Sequence, residues 1–103
     1  MDDIRKAFWE SFRGLFPPHA KAVQTATGGL TISWPTTGNP DAHFAHSMPI
    51  AIRFEADLLE AMGAAGFEQR SKIAQRHEAA LKAGLIGYEP YASVPKSRVI
   101  VLG

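Results

Sequence analysis

Large apolar side chains first recur at helical spacing: Ile4, Phe8, Phe12 and Leu15/Phe16 fall at steps of three and four within residues 2–16, which lines one side of a helix. Asp2 or Asp3 can cap its start, and Pro17-Pro18 stops it. Ala22-Val23-Gln24-Thr25-Ala26-Thr27 and Leu30-Thr31-Ile32-Ser33-Trp34 then flank Gly28-Gly29, the pattern of two strands joined by a two-residue turn in which glycine supplies positive φ. Pairing Thr27 with Leu30 brings Thr25 opposite Ile32 and Val23 opposite Trp34, so Val23, Ile32 and Trp34 are expected on the core side. Pro35 ends the second strand, and residues 35–47 hold turn formers without a sustained period, the composition of a long loop.

Alternation resumes from Met48 to Phe54, with Ile50, Ile52 and Phe54 on one face and Ala51 and Arg53 on the other, as a half-buried strand requires. Residues 55–83 form a helical region that is acidic at its start (Glu55, Asp57, Glu60) and basic later (Arg70, Lys72, Arg76, Lys82), matching the helix dipole. Leu58, Leu59, Met62, Ile73, His77 and Leu81 form its expected buried stripe, while Gly63 and Gly66 favour a kink, or two helices broken near Gly66-Phe67. Gly84 is a natural C-cap, and a connector with two tyrosines leads to Arg98-Val99-Ile100-Val101-Leu102, a continuous apolar run of the kind found in a strand covered on both faces or lying inside a sheet.

The order α-β-β-β-α-β predicts an α+β fold: a mostly antiparallel four-stranded sheet with two helices packed on one face. If the last strand runs parallel to its sheet neighbour, the connection between them is expected to be right-handed. With 103 residues and 46% hydrophobic content, one core and a single domain over residues 1–103 are expected.

Composition narrows the chemistry. Eleven basic against ten acidic residues give a net charge of +1, which supplies no general pull toward phosphate backbones or anionic lipid. Cysteine is absent, which removes disulfides, thiol nucleophiles and Cys-based metal sites. Met1-Asp2-Asp3-Ile4-Arg5-Lys6 is followed by no long apolar run, so a cytoplasmic location without membrane association is expected. The alanine-rich, cysteine-free chain resembles small bacterial proteins of no assigned function, a likeness that implies no mechanism.

Asp41, His43 and His46 are the tightest group of metal-capable side chains, but they are three at most and lack the helical H-E-x-x-H context, so exposed loop histidines are the simpler reading. No cofactor is implied. His77 lies on an apolar stripe, where a satisfied core or interface imidazole is commoner than an acid or base. No nucleophile elbow, dinucleotide fingerprint or phosphate loop exists in the chain, and the carboxylates Asp57 and Glu60 are explained by the helix dipole. Trp9 falls beside the main stripe of the first helix, whose charges cancel.

Ile50-Ala-Ile-Arg-Phe54, then Leu58-Leu59 and Met62, a break at Gly66 and Arg70-Ser71-Lys72-Ile73 resembles the strand–helix–helix core of ribbon-helix-helix repressors. That resemblance covers residues 50–83. It implies a two-chain ribbon with Arg53 and Ala51 reading the major groove, and Arg70 and Lys72 near phosphate. The segment from Leu59 to Ile73 is about one helical turn shorter than that family's, and the hairpin and last strand have no counterpart there.

The leading expectation is a non-catalytic binding module that acts as a homodimer or with a protein partner, through a sheet edge or a helix surface. Trp34, Phe44, Tyr88 and Tyr91 near turns and connectors are its contact candidates. A DNA-binding regulator using strand 48–54 is the alternative.

Overall fold

The computed structural model describes residues 1–103. Its elements are α1 (Asp3–Phe12) with a 3-10 turn (Arg13–Leu15), β1 (Lys21–Gln24), β2 (Leu30–Ser33), β3 (Ile50–Phe54), α2 (Ala56–Ala64), α3 (Phe67–Arg76), α4 (Glu78–Gly84) and β4 (Arg98–Leu102). The α+β class stands. The strands lie in the order β1-β2-β3-β4. The sheet is mixed rather than mostly antiparallel, because β1/β2 and β2/β3 are antiparallel while β3/β4 is parallel.

Asp2 caps α1, its side chain accepting from the Arg5 N–H. Burial alone would raise the Asp2 carboxyl, but the Arg5 N–H, the Arg5 guanidinium and the Gln24 amide outweigh it and hold it below the usual carboxylate range. Arg5 also donates through Nε to the Gly28 carbonyl at 2.8 Å, which ties the start of α1 to the first hairpin.

The expected pair of helices is four. The break at Gly66 falls where glycine predicts it, and Gly66 is the N-cap of α3. The Met62 carbonyl at the end of α2 accepts from the Ala65 N–H at 3.3 Å and also from the Arg70 Nε at 2.8 Å, which ties the start of α3 to the last turn of α2. A second break comes at His77, where the backbone N–H turns back to Ala74 O at 3.0 Å and the ring Nδ1 lies 2.9 Å from Ile73 O. No Gly or Pro marks that bend.

One face of the sheet is buried by all four helices. Leu30, Ile32, Ile50, Ile52, Ile100 and Leu102 project there and meet Phe8 and Phe12 from α1, Leu58 and Met62 from α2, Ala74 from α3 and Leu81 from α4. Strands β2, β3 and β4 each contribute alternate residues, as the period of two requires, and β1 adds the half-buried Ala22. Of the stripe expected over 55–83, Leu58, Met62 and Leu81 are buried, whereas Leu59, Ile73 and His77 are half-buried. No helix is long and apolar enough to cross a membrane.

The first hairpin departs from its expected register. Gln24, not Thr27, pairs with Leu30, and Ala22, not Thr25, pairs with Ile32. The loop is longer than a Gly-Gly turn because Thr25 closes it: its N–H donates to Gly29 O at 2.9 Å, its carbonyl accepts from the Gly28 N–H at 3.0 Å, and its Oγ1 accepts from the Gly29 N–H at 3.0 Å. A slip by an odd number of residues turns every β1 side chain over, so Val23 is solvent-facing instead of core-facing.

Candidate interaction surface

The sheet face away from the helices is uncovered. Register places Val23, Thr31, Ala51 and Val99 in one row across all four strands, with Arg53 beside Val101 in the next and Lys21 beside Ser33 in the row before. Val23 is 65%, Val101 55% and Val99 48% exposed. Strand β4 is therefore neither inside the sheet nor covered on both faces, as its apolar run had predicted. It is an edge strand with one face open.

Its outer edge is open as well. The Arg98 N–H donates to Pro49 O at 2.9 Å and the Leu102 carbonyl accepts from the Glu55 N–H at 2.8 Å. In a parallel ladder this alternation turns the backbone groups of residues 98, 100 and 102 toward β3, and those of Val99 and Val101 outward. Neither valine takes part in any turn, loop or side-chain hydrogen bond.

The two ends of β4 differ in charge. At its start, Lys96, Ser97, Arg98 and Val99 line a cleft with Gly87 and Glu89. The Arg98 Nη1 donates to Ile86 O at 3.2 Å and Gly84 O at 3.4 Å, capping the C-terminus of α4. At its far end the Glu55 carboxylate lies against Gly103, its Cδ 2.6 Å from where a Cβ on that glycine would stand.

The contact candidates read from sequence divide. Trp34 is a core residue, 5% exposed, because it continues the Leu30, Ile32 alternation beyond the strand. Its ring meets Tyr88 edge to face at 6.3 Å and Phe16 at 6.3 Å, and its Nε1 is buried without a hydrogen-bond partner. Tyr88 is half-buried, its hydroxyl donating to the Met48 carbonyl. Tyr91 is half-buried and Phe44 exposed. The 35–47 loop is organised at its base, where Pro35 bridges His46, the Ser47 N–H donates to Trp34 O at 2.9 Å and the Trp34 N–H donates to Ser47 Oγ at 3.0 Å.

Burial raises the Tyr88 phenol above its ordinary value of 10.0 and outweighs the lowering by Ser47, while Tyr91 adds a lesser rise and Arg98 a lesser lowering. A folded pKa above the unfolded one disfavours phenolate in the native state. Native Tyr88 therefore contributes nothing extra below the unfolded pKa, and the fold loses stability as pH climbs through 10.0 and above. Tyr88→Phe is expected to flatten that alkaline decline in urea midpoints measured across the range. An unchanged decline would mean that the phenol is freely solvated.

Asp41, His43 and His46 are all exposed on the loop, and no group of three or more His, Asp or Glu side chains converges anywhere in the structure. The residues of the DNA reading are also separated. Strand β3 lies between β2 and β4 with both edges occupied, so it cannot pair with its twin in a two-chain ribbon. Arg53 projects from the uncovered face, while Arg70 and Lys72 belong to a helix on the opposite side of the sheet.

Sequence reasoning missed Val23, Val99 and Val101 as surface residues. The available signal was that β4 is apolar at both parities, which says that both its faces want cover without saying what supplies it. Comparison with protein-family models, with curated proteins and with solved structures finds no match.

Proposed function

We propose that this protein is a non-catalytic interaction module whose contact surface is the uncovered face and outer edge of β4. One observation carries the reading: β4 is apolar on both faces and pairs in parallel, an arrangement that proteins ordinarily cover on both sides, yet the chain covers only one. Val99 and Val101 supply β-branched side chains on the open face and unpaired backbone groups on the edge, which together suit strand addition by another chain. Val23, Thr31 and Ala51 extend the same row toward β1, with Val23 and Ala51 adding apolar side chains.

Chemical-shift mapping tests it. When the protein is concentrated, or titrated with short strand-forming apolar peptides, the largest perturbations are expected at Val99–Val101 and then along the Val23–Thr31–Ala51 row. Val99→Lys is expected to suppress them without changing the circular dichroism, because that side chain lies outside the core. Perturbations confined to the helix side of the sheet, around the exposed Phe67 for instance, would move the contact surface elsewhere.

A further inference from the structure

The reading of β4 as the contact strand leaves its occupant open, and the present inference rests on it. We propose that the occupant is a second copy of the same chain, paired antiparallel through β4 about a two-fold axis at Ile100 to make a continuous eight-stranded sheet.

The edge is unguarded. Natural edge strands are blunted by proline, bulges, inward charge or brevity, and the opposite edge strand of this sheet, β1, is the shorter of the two at four residues. Strand β4 has five residues, no proline and no bulge, and its one charged side chain is at its first position.

The strand is also self-complementary. An axis at Ile100 sets Val99 opposite the partner's Val101, and Val101 opposite the partner's Val99. These are the residues whose N–H and C=O groups point outward, so each pair exchanges both backbone hydrogen bonds, and β-branched side chains meet on the open face. Ile100 then faces the partner's Ile100 on the helix side, where each is already seated against the core. A register shifted by one residue would bring outward groups against inward ones.

Charge favours the same direction, with Glu89 the one carboxylate among two bases in the cleft at the start of β4. Lys96 and Arg98 stand at the start of β4 in their cleft, and Glu55 stands at its end beside Gly103. Antiparallel pairing brings the partner's Glu55 to the Lys96 cleft twice over, whereas parallel pairing would stack like ends together. Ile86, 78% exposed although its carbonyl is held by Arg98, adds apolar surface flanking the same edge.

Light scattering on the full chain, combined with amide hydrogen exchange, decides the matter. The expected result is a dimer mass with slow exchange at the Val99 and Val101 amides. Val101→Pro removes one outward donor per chain without touching the ladder to β3, a place where sheets accept proline, and is expected to weaken association at least about tenfold. Should that variant lose its native circular dichroism, the charge pair serves instead. Glu55→Lys and Lys96→Glu singly weaken the dimer, and the two together restore it. A dimer that both the proline variant and the charge variants leave at wild-type strength overturns β4 pairing. A monomer whose Val99 and Val101 amides exchange freely overturns self-pairing while keeping β4 available to a different chain. A monomer in which those amides are protected overturns both readings, because the edge would then be closed by its own chain.

Discussion

Phe8→Ala is expected to destabilise the protein by about 3–5 kcal/mol, the cost of deleting a fully buried aromatic ring and leaving a space its neighbours only partly fill. Phe8 is 0% exposed and stands where the two layers meet. Its ring stacks on Phe54 of β3 at 4.4 Å, tilts against Phe12 at 5.7 Å and meets the His77 edge at 6.4 Å. It thus joins α1, the sheet and the bend between α3 and α4, and no other side chain can slide into its place without leaving one of them. Against a typical total of about 5–15 kcal/mol, such a loss lowers the melting temperature by about 4–8 °C for each kcal/mol in a domain of this size. Urea denaturation followed by circular dichroism measures it. A cost below about 1 kcal/mol would mean that α1 does not seat on the sheet, since surface changes fall in that range. Trp9→Ala is the comparison, because Trp9 packs only at the rim, stacked on Phe16 at 5.9 Å, and is expected to cost less.

The contrast between those residues explains what could be read in the chain. Phe8 and Phe12 were legible because a helix repeats its buried face every three or four residues, and nothing but burial accounts for aromatic rings so placed. Strand β3 was legible for the same reason at a period of two, and the break at Gly66 was legible because glycine has poor helix propensity. The bend at His77 was not, because its cause is tertiary: the ring folds back on Ile73 O and packs against Phe8. Trp34 was placed on the core side by its alternation and also among contact residues by its proximity to a turn, and burial settled for the former.

Strand β4 shows why the open face of the sheet was harder to see than the core. Its sequence states that both faces are apolar, but position in the sheet is decided by what lies between strands, and the chain from Ala56 to Ser97 can return a strand to either side of β3. A parallel pairing beside β3 fills the sheet to its edge and leaves Val99 and Val101 outside. The exposed valines were therefore in plain view as apolar positions, and were misplaced only because a doubly apolar strand looks internal when its neighbours are unknown.

Gly29→Ala is expected to destabilise by about 3 kcal/mol, at the upper end for inserting one carbon into a closed site, and to do so through the hairpin whose register differs from expectation. A Cβ on Gly29 would run into the Ile52 carbonyl oxygen, with the Thr25 Oγ1 at 3.5 Å behind it. Carbonyl oxygen is backbone, so relief requires β2 and β3 to part where Leu30 pairs with Ile52, and both of those side chains are core. The effect depends on the loop being Thr25–Gly29. In a two-residue Gly28-Gly29 turn the glycine would lie at the tip of the hairpin, away from β3, and alanine would cost only its turn preference. Gly14→Ala provides the control, since nothing lies within 4 Å of a Cβ there, and removing glycine at an unstrained position stabilises by about 0.4–1 kcal/mol through the unfolded chain. Thermal melts of the two variants should therefore move in opposite directions. If Gly29→Ala melts with the wild type, the five-residue loop is wrong. Val23 then returns to the core side, and the row it shares with Thr31, Ala51 and Val99 loses its outer member.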